Sequence, residues 1–203
     1  MRVVGGSARG KTLLLVPGKG TRPILDRVKT ALFDILRPRI AGMRLLDLFA
    51  GSGSVGIEAL SQGAAHCTFT DLGREAIATI KKNLDSTGLS ANATVRQTNA
   101  LDFLKITPGP FDLIYIAPPQ YKNIWIEALQ RLDARPELLS APDPDDPDNA
   151  ESSGLAIAQI DPREYQTIDL ATLHETRQKR YGNTLLVFFE RTMPPDQQDT
   201  DRN

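Results

Sequence analysis

The chain has 203 residues, 40% of them hydrophobic and 24% charged, with a net charge of −1. That length supports one α/β domain with a full core and is too short for two of ordinary size. No apolar run approaches the ~20 residues of a membrane-spanning helix, and a single cysteine with two histidines rules out an internal disulfide and leaves few metal ligands, so no membrane and no metal are expected.

The opening MRVVGGSARGK has neither the apolar stretch nor the cleavage site of a secretory signal, and a cytoplasmic protein is expected. RVVGGSARGKTLLLV contains two short apolar runs separated by Gly5, Gly6 and Gly10 and reads as a hairpin with a flexible basic tip. In TRPILDRVKTALFDIL, residues Ile24, Val28, Ala31, Leu32, Ile35 and Leu36 repeat at helical spacing; Thr21 is placed to cap, Pro23 to occupy the first turn and Pro38 to end the helix. Residues 1–39 carry nine basic side chains against Asp26 and Asp34, an arm able to hold a phosphate backbone although the whole chain is not basic. The plain alternative is a solvated face.

From Arg44 onward, strand-like and helix-like stretches alternate: RLLDLFA, GIEALSQ, HCTFTD, REAIATIKKNLDST, ATVRQTN and FDLIYIA. This order predicts a mostly parallel, doubly wound sheet of seven strands with helices on both faces and right-handed crossovers. Cys67, within HCTFTD, is expected to be a buried strand residue. Trp125, in the helix WIEALQRL, is expected to pack in the core, and His66 and His174 have no catalytic surroundings. ARPELLSAPDPDDPDNAESSG, within 134–154, is rich in proline and aspartate and is read as an exposed, mobile insertion. Order resumes with LAIAQID, a helix-prone LATLHETRQ and the apolar strand TLLVFFE, before a frayed tail at 194–203. The expected organisation is an N-terminal hairpin and helix over 1–41 and an α/β domain over 42–193, without internal repeats.

Gly51, Gly53 and Gly56 satisfy G-x-G-x-x-G between a strand and a helix, a setting in which backbone approaches a ligand closely at a helix N-terminus. Asp71 closes the next strand about twenty residues on, where a carboxylate can accept from both ribose hydroxyls. A carboxylate at Asp47, inside the first strand, would repel a pyrophosphate and suits a ligand bearing an ammonium and a sulfonium. S-adenosylmethionine is therefore the expected cofactor, with Asp47 at its methionine end. Asn99 or Asp102 is placed to meet the adenine amino group, with helix capping the alternative for Asp102. Phe49, Ala50, Leu72 and Ala100 complete the expected cofactor-binding set.

LDLFAGSGSVGIEAL, together with VVGGSARGKTL, TRPILDRV, QIDPREYQ and KRYGNTLL, resembles the RsmD family of bacterial class I methyltransferases, which modify a guanine N2 in small-subunit ribosomal RNA. The glycine motif is shared by many methyltransferases; TRP-x-x-DRV with the YGNTLL ending is more specific. The resemblance implies a Rossmann-like methyltransferase fold, S-adenosylmethionine, and a ribosomal RNA or small-subunit substrate. It also implies that Arg9, Lys11, Arg22, Arg27 and Lys29 contact RNA phosphates. The family's catalytic motif, Asp or Asn followed by Pro-Pro and an aromatic residue, here reads Ala117, Pro118, Pro119, Gln120, Tyr121. A methyl group replaces the polar side chain, and a glutamine separates the prolines from the ring. The sequence reading assigns the amino-group acceptor to the Pro118 carbonyl and Gln120, and base stacking to Tyr121, with Pro119 fixing the loop. A monomer is expected. The competing readings are an RNA- or ribosome-binding relative without turnover, motivated by Ala117, and a nicotinamide-dependent oxidoreductase, motivated by the glycines alone.

Overall fold

The computed structural model describes residues 1–18, 24–141 and 153–191. Helix α1 (Asp26–Leu36) is followed by β1 (Arg44–Asp47), α2 (Ser54–Ser61), β2 (His66–Asp71), α3 (Arg74–Thr87), β3 (Ala93–Gln97) and α4 (Ala100–Ile106). Then come β4 (Leu113–Ile116), α5 (Ile124–Asp133), β5 (Leu155–Ile160), β6 (Leu173–Tyr181) and β7 (Thr184–Arg191). The strands form one sheet in the order β3-β2-β1-β4-β5-β7-β6. The first five pair in parallel, whereas β7 runs antiparallel to both β5 and β6. Strand order reverses between β1 and β4, and in such sheets the crevice at the carboxyl ends of those strands is where ligands bind.

Period-two alternation divides the core between the faces of this sheet. Leu45, Phe69, Leu113, Tyr115, Leu155 and Ile157 pack with α1, α2, α3 and the N-terminal segment. Leu46, Ile114, Ile116, Ala156 and Ala158 pack with α4 and α5. Cys67 is buried within β2, and Trp125 of α5 is 1% exposed and stacks on Tyr165, both as expected.

Four sequence expectations need correction. Helix α1 starts at Asp26 behind an extended Leu25 that makes no side-chain cap; Thr21 and Pro23, the expected cap and first-turn residues, lie outside the described residues. Asp26 itself supplies the favourable negative charge in that turn. The N-terminal runs do fold back on each other, but through a single bridge, Arg2↔Thr12. Their tip is docked rather than loose, since Ser7 N–H donates to the Ser61 carbonyl and Ala8 N–H to Ser61 Oγ. The helix-prone stretch LATLHETRQ, 170–178, enters β6 at Leu173: pairing with β7 around the Gly182 turn overrides local propensity. Finally, the ends of the acidic insertion are packed. Leu138 and Leu139 are buried, and Gly154 N–H donates to the Ser140 carbonyl; the predicted mobility concerns 142–152, outside the described residues.

The expected division at residue 41 also has no counterpart in the packing. Val3, Ala8 and Leu13 share one continuous core with Leu32, Leu45 and Phe69.

Candidate active site

A cavity of about 770 Å³ opens at the carboxyl ends of β1 and β4, lined by Asp47, Phe49, Ala50, Gly51, Asp71, Leu72, Asn99 and Ala100 on one side and Ala117 to Lys122 on the other. That volume is ordinary for a nucleotide-sized ligand. The loop after β1 is fixed by its backbone: Leu48 N–H donates to the Tyr115 carbonyl and Ala50 N–H to the Thr70 carbonyl.

Two carboxylates define the cofactor side. Asp71 accepts from Gly51 N–H at 2.9 Å and from Gly73 N–H at 2.8 Å, one bond to each oxygen, which fixes its orientation while leaving lone pairs for further donors. Asp47 is 2% exposed and accepts from Gly56 N–H at 3.1 Å. Burial pushes its carboxyl up to about 7 against the lowering effect of the Gly56 N–H, and Asp71 adds to the rise. No basic side chain among the described residues pairs with it. A buried carboxylate held this way fits a cationic ligand group and conflicts with a pyrophosphate.

The three motif glycines have separate duties. Gly51 lines the cavity, but Gly53 and Gly56, expected to bind cofactor, do not. Gly53 precedes α2 with φ +78°, a conformation that L side chains rarely adopt. At Gly56 a Cβ would lie 2.3 Å from the Phe69 ring and 2.5 Å from Cys67 Sγ, so this glycine lets α2 rest on β2. Asn99 caps α4, its Oδ1 accepting from Leu101 N–H and Asp102 N–H, and it also lines the cavity. Asp102 neither caps α4 nor lines the cavity; its carboxylate pairs with Lys105 at 2.8 Å on the surface.

On the opposite wall, Tyr121 has φ +62° and a largely exposed ring. Its hydroxyl donates to the buried Asp161 at 2.8 Å and accepts from Arg163, whose guanidinium also lies 5.4 Å from the ring centroid. Hydrogen bonds from Arg163 and Tyr121 hold the Asp161 carboxyl well below the usual carboxylate range. The loop bearing the prolines is thus tied to the end of β5. Sequence reasoning missed this tie and missed Tyr115 and Gln159, which also line the cavity. A lone glutamine in the apolar run LAIAQI was the available signal.

Among the basic candidates, Arg9, Lys11 and Arg27 are exposed, and Arg22 lies outside the described residues. Lys29 must be withdrawn as a phosphate contact. Its ammonium is 0% exposed, donates to the Arg2 carbonyl at 2.6 Å and Ser54 Oγ at 3.1 Å, and lies 3.2 Å from Glu58. Glu58 in turn accepts from Val4 N–H, Gly5 N–H and Gln62 Nε2. The pair fastens the N-terminal segment to α2. Beside Arg27 lies the turn between β6 and β7, and β6 adds the exposed Arg177, Lys179 and Arg180. No group of three or more potential metal ligands gathers among the described residues, and no described helix is long and apolar enough to cross a membrane.

Comparison with known proteins agrees with this arrangement. The family model described as Conserved hypothetical protein 95 matches residues 1–190. The Bacillus subtilis protein YlbH is 36% identical over 195 residues, covering 94% of this chain and 99% of its own length. The chain belongs to the RsmD family. The Escherichia coli member, Ribosomal RNA small subunit methyltransferase D, is 37% identical over 133 residues, 66% of this chain and 67% of the relative. Among solved structures, Escherichia coli yhhF superposes with a TM-score of 0.78 at 29% identity, covering 94% of this chain and 97% of that one. The fold is that of the class I methyltransferases, as expected of an RsmD-family chain, with the cavity at its strand-order reversal.

Proposed function

We propose that this protein transfers a methyl group from S-adenosylmethionine to the exocyclic N2 of a guanine in small-subunit ribosomal RNA. The observation that carries the reading is one cavity in which a buried carboxylate, Asp47, and a backbone-held carboxylate, Asp71, face the Pro118-Pro119-Gln120-Tyr121 loop. S-adenosylmethionine, when bound, supplies the electrophilic methyl. Asp47 meets the ammonium at its methionine end and Asp71 its ribose hydroxyls, while Asn99, Ala100 and Leu72 surround the adenine. Holding both partners in one orientation accounts for much of the acceleration in a direct displacement.

The Tyr121 ring, tethered through its hydroxyl, offers a stacking face to an extruded base, an interaction worth ~1–3 kcal/mol. Arg9, Lys11 and Arg27 supply sequence-independent contacts to phosphates, and Arg177 and Lys179 of β6 extend that positive surface. Asp47 disfavours the dinucleotide of an oxidoreductase.

The test is transfer of radiolabelled methyl from S-adenosylmethionine to small ribosomal subunits or their RNA, followed by mapping of the modified nucleoside. N2-methylguanosine is the expected product. Cofactor binding without transfer favours a binding protein, the reading motivated by Ala117.

A further inference from the structure

Ala117 leaves a methyl group where the attacking amino group needs an acceptor, and the neighbouring strand supplies one. Strands β4 and β5 pair in parallel from Leu113↔Leu155 to Ile116↔Ala158, so the same register continued by one residue sets Ala117 beside Gln159. Alternation agrees: Leu113, Tyr115 and Ala117 lie on one face with Leu155 and Ile157, while Ile116, Ala158 and Ile160 lie on the other. Gln159 therefore emerges on the face of Ala117. It is half-buried in a strand whose other residues are all buried, and it lines the same cavity as Asp47, Ala117 and Pro118.

Its orientation is fixed from below. Tyr115, 2% exposed, donates its hydroxyl to Gln159 Oε1 at 2.5 Å. Burial holds that phenol well above its ordinary range, so it remains a neutral donor. An amide oxygen has a second lone pair, and the amide NH₂ has two donors, so the bond to Tyr115 leaves both functions usable. Gln120, by contrast, makes no hydrogen bond to any described residue that would fix it.

Resting on the reading above, we propose that Gln159 is the catalytic residue that receives an N–H of the substrate's exocyclic amine, and that Tyr115 is its positioning residue. The carboxamide offers an acceptor beside a donor, which matches an exocyclic amine beside a ring nitrogen, the N2–H and N3 edge of guanine. As the amine nitrogen forms its bond to the methyl carbon, the carbon–sulfur bond breaks and sulfur keeps the electron pair. The nitrogen becomes cationic and loses a proton to solvent; Gln159 Oε1 stabilises that N–H while the charge develops.

The test measures single-turnover methyl transfer to small-subunit RNA together with S-adenosylmethionine affinity by calorimetry. Gln159→Ala is expected to slow transfer about 10²-fold, the usual effect of removing one such group, with affinity for S-adenosylmethionine within about twofold of the parent. Gln159→Glu keeps an acceptor and should retain more activity than Gln159→Ala. Ala117→Asn should restore transfer in the Gln159→Ala background. Tyr115→Phe should give a smaller loss than Gln159→Ala. Parental rates in Gln159→Ala overturn the assignment, as does a folded, cofactor-binding Ala117→Asn/Gln159→Ala protein no faster than Gln159→Ala. A parent that binds S-adenosylmethionine and methylates no RNA overturns the underlying reading instead, and the assignment falls with it.

Discussion

The wall of the cavity formed by β1 and β2 and the wall formed by β4 and β5 are held by different kinds of bond. On the first, backbone N–H groups of Gly51, Gly56 and Gly73 grip two carboxylates, Asp47 and Asp71. On the second, side chain mostly holds side chain, Tyr115 to Gln159 and Tyr121 to Asp161 and Arg163, with one backbone donor, the Arg163 N–H to Asp161, among them. A backbone donor survives most substitutions, so the first wall depends on a few acids and on glycines that allow the close approach. The second can change chemistry by exchanging partners, and a wall that meets substrate gains from that freedom. Ala117 is such an exchange, made harmless if its strand neighbour takes over.

The largest effect is expected beneath the first wall. Lys29→Ala leaves Glu58 buried without its cation and should destabilise the protein by about 3–5 kcal/mol in urea unfolding. A change below about 1 kcal/mol would break the idea that this pair fastens the N-terminal segment to α2. Next comes Asp47→Asn, expected to weaken S-adenosylmethionine binding about 10- to 100-fold, the range for a hydrogen bond to a charged group.

Asp47 also gives the sign of a pH effect. With its carboxyl raised to about 7 in the folded protein against an ordinary 3.8, the unfolded chain ionises first. Asp47 therefore contributes most to stability below the ordinary value and loses that contribution as pH rises to about 7. Denaturation at stepped pH should show stability falling across that window in the parent relative to Asp47→Asn, with the difference flat above it. Cofactor binding runs the other way. Below about pH 7 the carboxyl must release its proton to meet an ammonium, so parental affinity should fall with pH, up to about tenfold per unit. An equal slope in Asp47→Asn would remove Asp47 from the methionine end.

On the second wall, Tyr121→Ala should slow methyl transfer about tenfold by removing the stacking face. Tyr121→Phe keeps the ring and loses only the tether, and should cost about threefold at most. If the two variants are equally slow, the hydroxyl network matters and stacking does not. The smallest effect belongs to the surface: Arg27→Glu should weaken RNA binding modestly and lower its logarithmic salt slope by about 1, read from filter binding at several salt concentrations. An unchanged slope would take Arg27 out of the RNA contact surface.

The same difference between the walls decides how much was legible beforehand. Asp47, Gly51 and Asp71 lie in one strand-loop-helix-strand stretch, and their spacing was enough to place them on one cavity. Tyr115 and Gln159 are 44 residues apart, and only the β4–β5 register joins them. Strand β6 was hidden for a related reason: LHETRQKRY is polar along its length and exposed on both sides, so no period-two pattern marked it. Lys29 looked like an RNA contact because composition counts charge without showing burial. The α/β alternation, the sheet and the buried Cys67 and Trp125 were readable because long apolar periodicities override local detail.

The buried pair of Lys29 and Glu58 bears on how such a molecule can be taken apart. Because α2 carries the acid and the first residues of the chain supply N–H groups to it, the arm is a ratchet pawl set into the wheel and not a handle bolted on. Grafting residues 1–36 onto another methyltransferase would require an acid at the Glu58 position, and deleting them would strand that acid in a dry interior. The N-terminal segment and the helix that follows the glycine loop are therefore inherited together or lost together.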